Sequence, residues 1–459
     1  DVENETAPRV EQYLSKIKII RKIAGKIIAF LAQLEDFQKK LWLKKKFVVE
    51  TQWCIRVGCI PEAFHAEIAT NDAQREEWVK LFAIDEIQGD LMKPGYSKPL
   101  TPAFLKGHPT LVVDTRYFDG AFTARLLEAI GDVDAQTDGV LFHSENFQAL
   151  SLMQPRYREQ VKCIYIDPPY NTGNDGFAYK DSYQHSSWAT MIAERLAAAR
   201  SLQGPTSSLF VSLDDNEAKI FRHVADSVYG PENFIATCLW QKNYAPKSSA
   251  RHFSDDHDYL FVYAKDGACW MPALLPRTEE QDADYKNPDN DPRGLWKANN
   301  LSARNFYSKG TYAITCPGGR VIEGPPKGRY WSIAEEKLWR FHDEGRIWWG
   351  ADGNNIPSPK IYRSEVKAGR VPQTLWLYKD VGHTQEAKKD LVDLITFDTS
   401  ADVFATPKPT RLIARVCRLG MNATGHGGDV CCDFFAGSGT TGHAVINLNR
   451  EDAGQRKFI

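Results

Sequence analysis

A buried strand that two consecutive prolines bring to an end most strongly constrains how this chain can fold. The apolar run Val161–Ile166 predicts a β-strand, and Asp167, Pro168, Pro169 and Tyr170 follow it directly. Neither proline can donate a ladder hydrogen bond, so the strand must stop there. Its tip then presents a carboxylate, a rigid carbonyl and a phenol ring. In an open α/β sheet, ligands bind at the carboxyl ends of the strands.

These groups suit chemistry on a planar amine. The Asp167 carboxylate and the Pro168 carbonyl could accept its two N–H groups while the Tyr170 ring lies on its aromatic ring. The exocyclic amino group of a nucleobase has this shape. The same tetrapeptide would also serve as a simple strand-ending turn with a packing tyrosine. Both interpretations remain open on this segment alone.

A second strand, Val430–Cys432, ends at Asp433 and leads into a glycine-rich turn and a helix predicted over residues 440–449. Gly437 and Gly439 allow the backbone to approach a ligand closely. The helix N-terminus offers unpaired N–H groups to a carboxylate or phosphate. With Gly442 these glycines also fit the dinucleotide fingerprint G-x-G-x-x-G. That interpretation needs an acidic residue about 20 positions further on.

Alternation of short apolar runs with helices from about residue 136 predicts the fold class. A helix over residues 189–202, for example, separates the strand before Asp167 from the next one. The pattern is typical of an α/β, doubly wound and mostly parallel sheet. We predict a helical N-terminal region (1–135, with a loop around 93–109), a first sheet part (136–269), an inserted β-rich module (270–402) and a second sheet part (403–459).

The inserted module is rich in aromatic residues, and basic residues lie among them in runs such as Lys327-Gly-Arg329 and Arg346-Ile-Trp348. Stacking and cationic groups together favour contact with nucleic acid. A small aromatic core with surface charges would give the same composition. Residues 270–400 hold seven of the twelve tryptophans of the chain: Trp270, Trp296, Trp331, Trp339, Trp348, Trp349 and Trp376.

The first sixty residues predict a basic, amphipathic helix. Residues 11–60 carry eleven Lys/Arg against four Asp/Glu. Their charges indicate either a solvated helix face or a local DNA-binding surface. The apolar stripe could be a core face or a partner-docking face, because its members recur at three- and four-residue spacing: Ile19, Ile20, Ile23, Ile27, Ile28, Leu31 and Leu34.

Composition is that of a large globular enzyme, with 42% hydrophobic and 25% charged residues. The nine cysteines show no C-x-x-C spacing, and Cys431 and Cys432 fall in a predicted buried strand. We therefore interpret the cysteines as reduced core thiols of a cytosolic protein and expect no metal site. No run of 18 apolar residues occurs, so no membrane association is expected.

Together the two strand-end segments resemble β-class amino-methyltransferases that use S-adenosylmethionine, especially modification (Mod) subunits of Type III restriction–modification systems. Asp167-Pro-Pro-Tyr170 is similar to the family's catalytic motif, and Asp433-x-Phe435-x-Gly437-x-Gly439 to its cofactor loop. The catalytic motif precedes the cofactor loop, as in the β-class. Further similar segments lie between them: Leu209 to Glu217, His257 to Lys265, and Thr406-Pro-Lys408-Pro with Leu412.

The resemblance implies a site-specific DNA adenine-N6 methyltransferase of a restriction–modification or phage-defence system, with module 270–402 as its target-recognition domain. It implies an Asp433 carboxylate that accepts from the methionine ammonium and a Phe435 ring packed on the adenosine. The implied catalytic residues are Asp167, Pro168, Pro169 and Tyr170. The implied cofactor-binding residues are Asp433, Phe434, Phe435, Gly437, Ser438, Gly439 and Thr440, with Thr406 and Lys408 at the methionine end.

The implied partners are double-stranded DNA, a second copy of the chain, and a helicase–nuclease restriction subunit or another defence-system protein, all in the cytoplasm. Cytosine N4, RNA or a protein amide remain alternative methyl acceptors. The leading Asp167 favours adenine, because the family's cytosine-N4 members usually have Ser there. A DNA-binding assembly subunit with a silent cofactor pocket is the non-enzymatic alternative.

The ends of the sequence lead to one more expectation. The chain begins without Met and ends at Ile459, within the next predicted sheet strand. Family members continue with a carboxylate for the cofactor ribose and a further strand. We therefore expect a fragment whose sheet lacks an edge and is unstable or inactive alone.

Overall fold

A computed structural model describes residues 7–42, 47–89, 94–172, 184–367, 369–399, 402–421 and 427–459. Its helices are α1 (Ala7–Trp42), α2 (His65–Ala69), α3 (Asp72–Phe82), α4 (Pro102–Gly107), α5 (Gly120–Ile130), α6 (Val133–Gln136), α7 (Asn146–Tyr157), α8 (His185–Leu202), α9 (Ala218–Tyr229), α10 (Glu279–Ala283), α11 (Glu335–Asp343), α12 (Tyr378–Val381), α13 (Thr384–Leu394), α14 (Thr410–Gly420) and α15 (Thr440–Asp452). Its strands are β1 (Cys54–Arg56), β2 (Val112–Asp114), β3 (Val161–Ile166), β4 (Gln203–Leu213), β5 (Phe234–Gln241), β6 (His257–Ala264), β7 (Trp296–Ala298), β8 (Ser302–Ala303), β9 (Ile314–Thr315), β10 (Val321–Ile322), β11 (Tyr330–Trp331), β12 (Ile347–Trp348), β13 (Ser358–Tyr362), β14 (Leu375–Trp376), β15 (Val430–Cys432) and β16 (Lys457–Phe458).

Seven strands form the main sheet in the order β14-β5-β6-β4-β3-β15-β16. Strand β6 runs antiparallel to both its neighbours, and the other pairs are parallel. The predicted strand Val161–Ile166 is confirmed. The chain also ends in a strand, β16, as predicted. The sheet is therefore mostly parallel, as the sequence indicated.

Helices cover both faces of this sheet. On one face, Trp188, Ile192 and Leu196 of α8 pack with residues of α7 and α9 against Ile164 and Val211. On the other face, α14 approaches so closely that a Cβ on Gly420 would lie 2.5 Å from the Cys163 sulfur. The two layers make the fold doubly wound. Helix α8 begins at His185, four residues before the predicted start.

Chain connectivity creates a switch point beside β3. From β3 the chain passes through α8 to β4 on one side, whereas β15 pairs with β3 on the other side. Helix α15 then leads from β15 away from β3, to β16. The carboxyl ends of β3 and β15 therefore border a crevice, which is where doubly wound sheets bind their ligands.

The region before residue 135 has a hydrophobic core of its own, centred on Trp78, Phe104 and Leu126. The predicted loop around residues 93–109 is wrong in part, because residues 102–107 form α4. Thr101 caps this helix by accepting from Phe104 N, and Pro102 occupies the first turn. In the described ranges, no helix is both long and apolar enough to cross a membrane.

Contacts divide the chain into two compact units, Asp1–Met271 with Gln373–Ile459 and, separately, Pro272–Pro372. The predicted module 270–402 extends about thirty residues beyond the C-terminal end of the second unit, which ends at Pro372. Strand β14, which follows Pro372, belongs to the main sheet, where Trp376 pairs with Trp240. The second unit contains short antiparallel strands and the helices α10 and α11. Its core contains Leu301, Trp331, Leu338 and Trp349.

The tryptophans proposed for nucleic-acid stacking are mostly core residues. Trp331 is fully buried, and its indole N–H donates to the Tyr312 carbonyl at 2.9 Å. Arg329 donates to the Ser302 hydroxyl and carbonyl, so that guanidinium is bound within the unit. The interpretation as a small aromatic core is therefore correct for Trp331 and Trp349. Trp296 is also buried, and the buried Trp270 and Trp376 belong to the other unit.

Candidate active site

Asp167 stands at the end of β3, where Pro168 stops the strand. Its Oδ2 lies 2.7 Å from the Lys408 ammonium, although the two residues are far apart in sequence. Its Oδ1 is buried and has no hydrogen-bond partner within the part of the chain that the structure describes. Burial raises the pKa of the Asp167 carboxyl, and the Lys408 ammonium acts against this shift. Lys408 thus holds Oδ2 of the carboxylate, and Oδ1 remains available to accept a hydrogen bond from a ligand.

Two buried contacts fix the turn that follows. The Trp188 indole N–H donates to the Pro169 carbonyl at 2.8 Å, which ties the second proline to α8. The Tyr170 hydroxyl donates to Asp258 at 3.1 Å. Asp258 is in turn paired with the Lys242 ammonium at 2.7 Å. The position of the phenol ring is therefore set by strands β5 and β6.

Lys408 also lies over aromatic rings. Its Nζ is 4.9 Å from the centre of the Tyr170 ring and 5.9 Å from that of Trp240. Cation–π attraction adds to the ion pair in holding the ammonium at this place. Lys408, predicted for the methionine end of a cofactor, is thus placed on the Asp167 carboxylate. Thr406, two residues earlier, lines the adjoining cavity.

The next residue, Asn171, has a left-handed backbone with φ 61°. Its side-chain amide donates to the Glu217 carboxylate at 2.5 Å, and His185 Nδ1 lies 2.8 Å from the same oxygen. Glu217 is fully buried in the loop after β4. The loop after β4 therefore holds the turn in place through Glu217. Gly173, the last residue of the sequence motif, lies outside the described residues.

The turn after β15 requires its glycines. Gly437 and Gly439 have φ values of 53° and 78°, a conformation that favours glycine. Gly439 is the N-cap of α15, and the Ser438 and Thr440 hydroxyls are 3.1 Å apart. The Phe434 carbonyl accepts from the Asn146 amide at 3.2 Å. The predicted helix after this turn is confirmed and runs to Asp452.

Asp433 holds this turn together. Its Oδ1 accepts from Phe435 N at 3.0 Å, and its Oδ2 accepts from the Thr441 hydroxyl at 2.6 Å. Burial raises the pKa of Asp433 to about 7, despite these two hydrogen bonds. The carboxylate therefore links the end of β15 to the first turn of α15.

Both strand ends line one cavity, as their position at the switch point predicts. Asp167 and Lys408 form one side, and the glycine-rich turn forms another. Pro168 and Pro169, which follow Asp167, are buried, and the Tyr170 ring contacts the cavity residue Lys408. The lining residues are Tyr165, Asp167, Phe404, Thr406, Pro407, Lys408, Asp433, Phe435, Ala436, Gly437, Ser438 and Thr440.

Several supporting residues were missed by sequence reasoning. Trp188, Glu217, Asp258 and Lys242 position the Asp167–Tyr170 turn without belonging to either motif. A signal was present for Asp258 alone, since a carboxylate inside the apolar strand His257–Ala264 needs a partner when buried. Phe404, which lies 3.3 Å from the Cβ position of Gly437, carried no such signal.

Comparison with known proteins assigns this arrangement to a class. A family model described as "DNA methylase" matches residues 161–457, which include both strand ends and the unit between them. That span is more than half of the chain. The chain therefore belongs to this DNA methylase family, whose members use S-adenosylmethionine as the methyl donor.

Curated relatives narrow the resemblance. The chain is 33% identical over 69% of its length to the Type III restriction-modification enzyme StyLTI Mod subunit of Salmonella typhimurium. It is 29% identical over 70% of its length to the EcoPI Mod subunit of Escherichia phage P1. It spans 51% and 57% of those proteins, about half of their length. It also matches the Type II methyltransferase M.KpnI of Klebsiella pneumoniae, at 28% identity over 70% of this chain and 80% of that one.

Proposed function

We propose that this chain is a modification subunit that transfers a methyl group from S-adenosylmethionine to adenine N6 in double-stranded DNA. One observation carries the proposal. Asp167, whose buried Oδ1 has no hydrogen-bond partner among the described residues, lines the same cavity as the glycine-rich turn after β15. A methyl acceptor and a methyl donor could therefore meet there. The Mod-subunit relatives support the restriction–modification context.

The residues of the cavity fit the cofactor. The Phe435 ring offers an apolar contact for the adenosine, and the turn Gly437–Gly439 leads into the N-terminus of α15, whose first backbone N–H groups precede the first intrahelical bond, from His443 N to Gly439 O. Asp433 offers a carboxylate to the methionine ammonium, with Thr406 on the same lining. When bound, S-adenosylmethionine supplies an electrophilic methyl group.

Asp167 acts on the acceptor. Its Oδ1 accepts an N–H of the adenine amine, and the Pro168 carbonyl accepts the other, so that the nitrogen lone pair is directed away from both. Positive charge would grow on this nitrogen as the new N–C bond forms and the bond between the methyl group and the donor sulfur breaks, which leaves S-adenosylhomocysteine. A fixed carboxylate therefore stabilises the transition state more than the ground state. The proton leaves the nitrogen after the methyl arrives, and Oδ1 is within reach to receive it.

Lys408 favours the ionised form of this carboxylate. Burial alone raises the pKa of Asp167, and a protonated carboxyl would be a poor acceptor for a cationic nitrogen. The Lys408 ammonium opposes this rise in the pKa of Asp167. It is bound to Oδ2 and therefore does not occupy Oδ1. Lys408 is thus a positioning residue for Asp167.

The adenine must leave the duplex to reach the cavity, at a cost of about a few kcal/mol. Stacking on Tyr170 offsets this cost by roughly 1–3 kcal/mol. DNA contact is further supported by the segment between β5 and β6. It carries the exposed basic residues Lys247 and Arg251, and its Phe253 ring is 94% exposed. This segment follows Lys242, which is linked through Asp258 to Tyr170.

Mass spectrometry of nucleosides in DNA from cells that express the full-length protein tests the proposal. We expect N6-methyladenine with the wild type and none with Asp167→Ala, whose cofactor affinity should be largely retained in calorimetry. Asp215→Ala, which removes an exposed carboxylate bonded to Tyr259, is the matched control and should remain active. N4-methylcytosine, methylated RNA or methylated protein as the product would refute the adenine assignment.

A silent assembly subunit is the competing proposal. It predicts no measurable affinity for S-adenosylmethionine and no methylated product with any nucleic acid. Binding to a helicase–nuclease restriction subunit is the partner proposal that follows from the Mod-subunit relatives. Co-purification of the two expressed proteins, with and without DNA, would test it.

A further inference from the structure

Helix α1 carries an apolar face that no other segment covers within the part of the chain that the structure describes. Every residue from 11 to 36 is exposed, and the leucines and isoleucines among them are 44–66% exposed. Helices in water derive most of their stability from packing an apolar face against other groups. A patch of this extent on a helix about 54 Å long marks an interaction surface.

The apolar positions of α1 follow a heptad repeat. Tyr13, Ile17, Ile20, Ala24, Ile27, Leu31 and Leu34 alternate in steps of four and three residues. Leu14 and Ile28 extend this seam on one side, and Ile23 and Phe30 extend it on the other. A seam that recurs every 3.5 residues over more than three heptads is typical of a coiled coil. The partner is therefore another helix.

We infer that this partner is α1 of a second copy of the chain, in antiparallel orientation. The charges of α1 favour this arrangement. Five cations fall between residues 16 and 26, no charge falls between 27 and 34, and Glu35 and Asp36 follow. Parallel helices would place the cations side by side, with Lys16 opposite Arg21 of the other copy. Antiparallel helices place the cationic segment beside the uncharged one instead.

The sizes of the seam residues support the same orientation. In an antiparallel pair with its two-fold axis between residues 25 and 26, Ile17 packs on Leu34, Ile20 on Leu31, and Ala24 on Ile27. The small residue thus meets a large one. In a parallel pair, Ala24 would face Ala24 and leave a gap at the centre of the seam. The adjacent Gly25 has no side chain to keep the two helices apart.

Mass measurement by analytical ultracentrifugation across a range of concentrations tests this interface. We expect a dimer whose dissociation constant rises at least about 100-fold in Ile27→Asp, because the charge would be buried in the seam. Ala29→Asp is the matched control, since it adds the same charge to the same turn on the outer face. It should change the dissociation constant by less than about threefold. A monomer at all concentrations, or equal effects of both variants, would overturn the inference and leave the face to a different partner.

A distance measurement tests the orientation. A spin label on a non-natural amino acid at Ser15 leaves the native cysteines untouched. In the antiparallel register Ser15 lies level with residue 36 of the second copy, so the labels should be at least about 30 Å apart. Labels within about 20 Å of each other would indicate a parallel pair and refute the proposed register. Circular dichroism of each variant reports whether the helix content is retained.

Discussion

Two carboxylates at the ends of neighbouring strands have opposite local environments. Asp433, after β15, has both oxygens bonded within its own turn, to Phe435 N and Thr441. Asp167, after β3, has one oxygen on a distant lysine and the other without a partner among the described residues. Burial raises the pKa of both. Asp433 is thus fixed by its own turn, and each of its oxygens can still accept a second donor, whereas Asp167 has one oxygen without any donor among the described residues.

The difference indicates how each half of the cavity is built. The β15 turn is preformed by local hydrogen bonds, so its geometry does not depend on a ligand. The β3 turn depends on contacts from four other segments, through Trp188, Asp258, Glu217 and Lys408. Substitutions in the two halves should therefore have different consequences, and the following experiments separate them.

The largest effect is expected for Asp167→Asn, which keeps the shape of the side chain and removes its charge. We expect kcat to fall by about 100- to 1000-fold, because transition-state charge on nitrogen loses its counterion. The cofactor dissociation constant and the free energy of unfolding should change little. Single-turnover methylation measures the rate of transfer, and calorimetry measures the cofactor dissociation constant. A large loss of cofactor affinity would mean that the two halves are not separate.

Lys408→Met should lower kcat at neutral pH by about tenfold or more. Without the ammonium, the pKa of Asp167 rises further, so the acid limb of the kcat–pH profile should move to higher pH. Lys408→Arg, which keeps the charge, should retain an acid limb close to that of the wild type. A uniform loss of kcat at every pH would show that Lys408 acts through packing on Tyr170 instead.

Asp433→Asn should change how cofactor binding depends on pH. The wild-type carboxyl has a pKa of about 7, so its ionised fraction and its attraction for the methionine ammonium rise between pH 6 and 8. Affinity should increase by about tenfold over that range. The Asn variant should bind more weakly with a flat profile. Titration calorimetry at several pH values measures the cofactor affinity of the wild type and of the variant. If the affinity of the variant still rises with pH as steeply as that of the wild type, a group other than Asp433 is being ionised.

The same carboxyl makes a prediction for stability. Its folded pKa of about 7 lies above its unfolded value near 4. Its contribution to stability is therefore complete below about pH 4 and is lost as the pH rises through about 7. Asp433→Asn should remove this part of the pH dependence in denaturant unfolding.

The smallest effect is expected for Thr441→Val, which removes one hydrogen bond to Asp433 at nearly constant volume. We expect the free energy of unfolding to fall by about 1–2 kcal/mol. Methyl transfer at saturating cofactor should stay within about threefold of the wild type. Urea unfolding and steady-state kinetics on the same preparation provide the comparison. A drop in kcat as large as that of Asp167→Asn would contradict the division between the halves.

Local signals in the sequence predicted the parts of the fold that depend on local chemistry. Pro168 ends β3 because it cannot donate, and Gly437 and Gly439 mark a turn that needs positive φ. The Lys408–Asp167 pair joins segments 241 residues apart, and no local pattern indicates which lysine reaches which carboxylate. The role of Trp331 was equally undetermined, because an aromatic residue among basic ones suits a binding surface and a small core alike. The pairing of Trp376 with Trp240 likewise joins segments far apart in the sequence, so no local pattern predicts it.

The position of Lys408 has a consequence for the direction of approach to Tyr170. A phenol ring has two faces, and the ammonium lies over one of them, 4.9 Å from the centre. A flat ligand therefore has only the opposite face on which to stack. An adenine stacked in this way would have the phenol ring between its own plane and the ammonium. The cation thus determines which face of Tyr170 can receive the incoming base.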